Sequence, residues 1–314
     1  MPGARRPVLA LFLGACCIGL APVFPKLAFD IERQAAVLQA VKANGPPLGM
    51  IAIAFWRMAL AAPLLWALAA RERRHVAPLQ RADRVALLLP GVFFAADLAT
   101  WHKSFEYTEL ATSTLLANFA TIVVSLAGFV WLKERLGPRF ALGLCLALVG
   151  AALLLGVDLH QGRDPIVGDS LALLTAGFYA TYLLMLKRLR SRFGTVRIMA
   201  WGTSVCAPCL LLVALLAGEG IMPHVSRTWL ILLALALVSQ IGGQGLITYA
   251  MAHLPASFAT VTLLAQPVVT AVVSYFAFDQ ALTALQVGGG TLLLAGIALA
   301  QRNSTVPEPP AAPA

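Results

Sequence analysis

Ten apolar stretches follow one another along the chain, separated by short polar interruptions. They fall near 8–28, 49–70, 84–101, 110–132, 138–157, 167–187, 197–217, 228–249, 257–278 and 283–301. At 1.5 Å of rise per residue, about 20 residues cross the roughly 30 Å of hydrocarbon in a bilayer. Every run is near that length. The pattern predicts an all-α membrane protein with ten transmembrane helices.

Composition supports this. Of 314 residues, 60% are hydrophobic and 12% charged, against about 25% charged in soluble domains. Basic residues are sorted between alternate connections. With residues 1–7 in the cytoplasm, Arg5, Arg6, Arg71, Arg73, Arg74, Arg81, Arg84, Lys133, Arg135, Arg139, Lys187, Arg188, Arg190, Arg192, Arg197 and Arg302 lie inside. Lys26, Arg33, Lys42, Lys103, Arg163 and Arg227 lie outside. The excess predicts both termini in the cytoplasm of a bacterial-type inner membrane. The net charge of +9 is thereby a consequence of topology, and nucleic acid is not an expected partner. The first run lacks an A-x-A-like cleavage site and reads as a retained signal anchor. The tail 302–314, rich in Pro and Ala, is expected to be disordered in the cytoplasm. Cys16, Cys17, Cys145, Cys206 and Cys209 all fall inside runs, where they read as small packing residues.

The chain repeats itself. At an offset of 145 to 146 residues, 132–155 falls on 278–300, aligning Leu136 with Leu282, Gly143 with Gly289 and Gly150 with Gly296. Trp56 and Ala62-Pro63 fall on Trp201 and Ala207-Pro208. At 162, residues 9–15 fall on 171–177, which places an insertion of about 17 residues in the first outside loop, 29–46. The expected organisation is two five-helix repeats, 8–157 and 167–301. Five is odd, so the second enters the membrane inverted. Inverted repeats characterise alternating-access transporters, whose substrate site lies near the midplane between repeats.

YTELATSTLLANFATIVVSLAGFVWLKERLGPRFALGLCLALVGAALLL (107–155) resembles the end of an EamA domain, and 253–299 resembles a second copy. FWRMALAA (55–62) is similar to the arginine-bearing second helix of the first copy. The resemblance, to the drug/metabolite transporter superfamily, covers nearly the whole chain. It implies a secondary transporter that exports small metabolites such as amino acids. Two departures from it are Thr121 opposite Pro267, and Gln280 where the second turn usually carries Glu.

Charges inside the membrane are costly and mark function or pairing. Arg57 lies about eight residues, roughly 12 Å, from the outer surface. Asp97 reaches a similar depth on the third run, so an Arg57–Asp97 ion pair is expected. It would serve either as a fixed bolt between helices or as contacts for a charged substrate or coupled proton. Polar stripes recur at helical spacing: Thr114, Asn118, Thr121 and Ser125 on the fourth run; Thr175, Tyr179 and Tyr182 on the sixth; Gln240 and Gln244 on the eighth; Gln266 on the ninth. Together Arg57, Asp97, Thr114, Asn118, Tyr179, Tyr182, Gln240, Gln244 and Gln266 are the expected cavity. Gly143, Gly150, Gly289 and Gly296 read as close packing at the periphery. Pro22, Pro25, Pro63, Pro90, Pro208 and Pro267 lie inside runs and permit kinks.

No H-E-x-x-H, G-x-S-x-G or Walker pattern occurs, so neither a catalytic site, a metal nor a cofactor is expected. The competing reading is a membrane enzyme or a lipid-handling protein using the same cavity for amphiphiles. The expected partners are a small-molecule substrate and the lipid bilayer, with a homodimer left open.

Overall fold

Ten helices long and apolar enough to span a bilayer run through the computed structural model, which describes residues 2–37, 46–72, 80–108, 110–134, 136–156, 164–278 and 282–302. They are α1 (Arg5–Ala35), α2 (Met50–Arg71), α3 (Arg81–Ser104), α4 (Ala111–Val130), α5 (Pro138–Leu155), α6 (Pro165–Leu189), α7 (Thr195–Leu216), α8 (Ser226–Met251), α9 (Ala256–Val273) and α10 (Ala284–Gln301). Among the described residues there is no strand. A single bridge, Leu48 to Gly220, ties the start of α2 to the connection after α7. The tail 303–314 and Gln280 lie outside the described residues. An even number of spans brings both ends of the bundle's chain to one face, called here the terminal end.

The first helix outruns its apolar stretch. Helix continues through Val37 after a break at residues 20–22, so residues 29–37 of the expected outside loop are helical. Their polar side chains are used. Glu32, 3% exposed, accepts hydrogen bonds from the backbone N–H groups of His224 and Val225 and from Thr228 Oγ1 (3.1, 3.0 and 2.7 Å). These are the unpaired donors at the start of α8, where Val225 offers no cap of its own.

Two more helix starts are capped from afar. Glu219 Oε2 accepts from Ala52 N–H at 2.9 Å, in the first turn of α2. Glu134 accepts from Ala256 N–H at 2.7 Å and Ser257 N–H at 3.1 Å, at the start of α9. In all three cases the carboxylate and the helix belong to opposite halves of the chain. A carboxylate at a helix N-terminus meets both free N–H groups and the positive end of the dipole.

α5 and α10 pack through glycine. A Cβ on Gly143 would stand 2.5 Å from Ala300 N and 2.6 Å from Gly296 O. A Cβ on Gly296 would meet Gly143 O at 2.6 Å. These glycines let two backbones touch, as their sequence spacing predicts.

α4 and α9 are each discontinuous. The α4 span is made by α4a (Leu110–Ala117) and α4b (Ala120–Val130), and the α9 span by α9a (Ala256–Leu263) and α9b (Gln266–Phe278), the helix running one residue before the first span and five past the second. The two breaks lie 146 residues apart (263 less 117, and 266 less 120), the offset of the sequence repeat. At both, hydrogen bonds tighten to i→i−3: Phe119 N to Leu116 O and Ile122 N to Phe119 O; Leu264 N to Val261 O and Val268 N to Ala265 O. Proline does not explain both breaks. Pro267 follows the second, no proline accompanies the first, and Pro63, Pro90 and Pro208 sit inside unbroken helices.

Candidate solute cavity

The breaks lie beside a central cavity of about 680 Å³, its mouth included. Arg57, Asp97, Thr114, Asn118, Tyr179, Gln244 and Gln266, seven of the nine expected residues, line it. Thr114 on α4a, Gln266, Pro267 and Thr270 on α9b, and Ile18 and Pro22 of α1 all border it. The other two expected residues stand just behind. Tyr182 and Gln240 line a smaller recess with Phe94, which borders both spaces. The Tyr182 ring stacks on Phe94 at 4.5 Å between centroids, 14° from parallel.

Arg57 and Asp97 are 5% and 6% exposed, and both line the cavity, but among the described residues no ion pair joins them. This corrects the expected Arg57–Asp97 pair. The Arg57 Nε donates instead to Gln240 Oε1 at 3.1 Å, and Gln240 Nε2 donates on to Thr203 Oγ1 at 3.2 Å. The guanidinium carbon lies 5.7 Å from the Phe94 ring centre, within cation–π range. A neutral amide and an aromatic face thus hold the arginine in place, and its positive charge is left without a bonded counter-charge. Asp97 is likewise left with its carboxylate on the cavity.

Gln240 is presented by an unusual stretch of α8, a π-helical segment at Leu235–Gln244. Such segments recur at functional sites. Gly243 sits within it because Ile18 of α1 occupies its side-chain space: a Cβ there would meet Ile18 Cδ1 at 2.8 Å.

Sequence reasoning missed Trp101. It lies one turn beyond Asp97 on α3, lines the cavity, and its indole Nε1 is buried without a partner. The i, i+4 spacing from Asp97 is the signal that could have found it. Asn118 Nδ2 and Gln244 Oε1, on residues that also line the cavity, are buried and unpartnered too. Trp101 and Pro22 also border a second recess lined by Pro25, Lys26, Met50, His102 and Phe105. That recess lies at the end opposite the termini. The polar stripe of α4 divides at its break. Thr114 and Asn118 face the cavity, whereas Thr121 donates to Thr260 O at 3.3 Å and Ser125 is buried.

A ten-helix bundle with buried, unpaired charges on a central cavity is the architecture of a membrane transporter. The profile of the EamA-like transporter family matches residues 5–156 and again 166–301, and the chain belongs to that family. It is 28% identical over 254 residues to the pseudopaline exporter CntI of Pseudomonas aeruginosa, covering 81% of this chain and 87% of the relative. It is 27% identical over 224 residues to an uncharacterized transporter of Archaeoglobus fulgidus, covering 71% and 78%. A solved crystal structure superposes with a TM-score of 0.73 at 17% identity, over 95% of this chain and 97% of that one. That likeness concerns the fold.

Proposed function

We propose that the protein is a secondary transporter exporting small zwitterionic metabolites, such as amino acids, across the inner membrane by alternating access between two inverted repeats. The observation that carries this reading is the pair of buried opposite charges, Arg57 and Asp97, on one cavity without an ion pair between them. A charge in the membrane interior needs compensation. A ligand bearing a carboxylate and an ammonium would compensate both, the carboxylate at the guanidinium and the ammonium at Asp97. Gln240 holds the Arg57 Nε, so the remaining guanidinium N–H groups supply the contact. Orphaned donors on Trp101 and Asn118 add hydrogen bonds to the ligand's oxygens.

Export is supported by the exporter named among the relatives. The sorting of basic residues supports placing the terminal end in the cytoplasm. No Walker pattern occurs in the chain, so an ion or solute gradient is the energy source proposed. Counterflow into proteoliposomes loaded with neutral amino acids tests this. Accumulation of labelled amino acid is expected, with its loss in Asp97→Asn and Arg57→Gln. Chemical conversion of a solute without net movement would favour a membrane enzyme and overturn the reading.

A further inference from the structure

The two ends of the cavity are unlike. At the end away from the termini, α4a and α9b both line the cavity without packing closely on one another. At the terminal end, α4b and α9a pack together and every residue of α9a is buried. Access from that end requires α4b and α9a to part.

Glu134 spans that seam. It sits in the turn after α4b, tied back to it by its own N–H to Gly128 O at 2.9 Å. Its two carboxylate oxygens take the N–H groups of Ala256 and Ser257, and Oε2 also accepts from Ser257 Oγ. Beside it, the Lys187 ammonium donates to Leu254 O at 2.6 Å. Pro255, at the start of α9a, provides no side-chain cap, so those donors depend on Glu134.

We propose that Glu134 is the latch of the terminal-side gate: its carboxylate clamps the N-terminus of α9a to the turn following α4b, and the gate opens only when that clamp is released. The proposal rests on the transporter reading. Charge-assisted hydrogen bonds are roughly twice as strong as neutral ones, so the clamp biases the protein towards the state seen, shut at the terminal end. The residue 146 positions on is Gln280, an amide.

Sided thiol labelling tests the latch without measuring transport. The full chain, its five native cysteines replaced, carries Leu263→Cys, in the small recess between Asn118, Thr121 and Thr260. A membrane-impermeant, water-soluble thiol reagent is applied from the terminal side of vesicles. Glu134→Gln keeps the shape and removes the charge. Gly128→Ala keeps the carboxylate but crowds it, because a Cβ there would stand 2.8 Å from Glu134 Oε2. Each is expected to speed terminal-side labelling about tenfold, the scale of one lost charge-assisted bond. If Glu134→Gln does not accumulate, Gly128→Ala decides. Unchanged terminal-side labelling in a variant recovered at normal yield would make Glu134 a static helix cap and overturn the latch. Solute flux through the unsubstituted chain is read separately. Its absence with altered labelling sinks the transport reading alone; its presence with unaltered labelling sinks the latch alone.

Discussion

Gln240, on α8, is the hydrogen-bond acceptor of Arg57, on α2, at 3.1 Å and 183 residues' separation. A buried arginine is thereby positioned by a neutral amide from the other half of the chain. Asp97 remains on the cavity. The arrangement fixes the guanidinium without cancelling its charge, as a site for a charged solute requires.

The first prediction follows from that partnership. Residues that share a bond couple in double-mutant cycles by about 0.5–3 kcal/mol, and independent ones add to within about 0.5 kcal/mol. Arg57→Leu with Gln240→Leu should therefore couple, each loss sparing the other's orphaned group. Arg57→Leu with Asp97→Leu should couple more weakly, through the field across their shared cavity and not through a bond. Thermal unfolding of the four-member sets in detergent checks this. Strong coupling between positions 57 and 97 would mean that the two charges pair directly.

Trp101→Phe tests the orphaned indole donor. Phenylalanine keeps an aromatic ring able to pack edge-on near Phe105, which now lies 5.0 Å from the Trp101 ring, and loses the N–H together with the fused five-membered ring. Folded yield should fall by little, because Nε1 bonds nothing in the protein and the side chain borders the cavity, where the lost atoms leave space beside an existing opening. Half-saturation for transported solute should rise about five- to tenfold, the worth of one hydrogen bond at roughly 1 kcal/mol or a little more. An unaltered solute dependence would place Trp101 at the mouth as a spacer only.

The ten spans and the glycine seam between α5 and α10 were readable because both depend on composition and local spacing. Apolar length predicts crossing, and glycine at every seventh place predicts close approach. The cavity was mostly readable, since seven of nine residues read from polar stripes line it. What escaped was long-range or backbone-borne. The stripe Thr114, Asn118, Thr121, Ser125 assumes an unbroken helix, and the break after Ala117 turns its lower part into a sealed contact. No proline marks that break. The caps by Glu32, Glu134 and Glu219 join residues more than 120 positions apart, where no periodicity reaches. Equal depth suggested Arg57 and Asp97 as partners, but depth does not report rotation about the helix axis, and rotation hands Arg57 to Gln240.

Gly143→Ala and Gly288→Ala should differ sharply although both add one methyl to an apolar span. At Gly143 the new carbon would press on backbone atoms of α10, which cannot swing aside, and overpacking of this kind costs about 1–3 kcal/mol. At Gly288 nothing lies within 4 Å, and alanine favours helix by roughly 1 kcal/mol. Gly143→Ala should lower the unfolding temperature and the folded yield; Gly288→Ala should leave both level or slightly raised. Equal effects would mean that the α5–α10 seam can slide apart at no cost.

Glu219 gives the opposite end a pH dependence of definite sign. It lies in the connection between α7 and α8, outside the spans. Burial is the largest influence on its carboxyl and raises the pKa above the ordinary glutamate value, while the backbone N–H groups of Ala52 and Ile51 draw it partly back. A carboxyl whose folded pKa is raised contributes stability that is complete below its unfolded pKa and lost as pH rises through the folded one. The start of α2 should therefore loosen on the alkaline side of the usual glutamate range. In Glu219→Gln the side-chain carbonyl still accepts from Ala52 N–H, and the titration is gone. Unfolding temperatures measured from pH 4 to 8 should fall more steeply for the unsubstituted protein than for the variant. Parallel slopes would show that the amides at the start of α2 compensate fully for the burial of the charge.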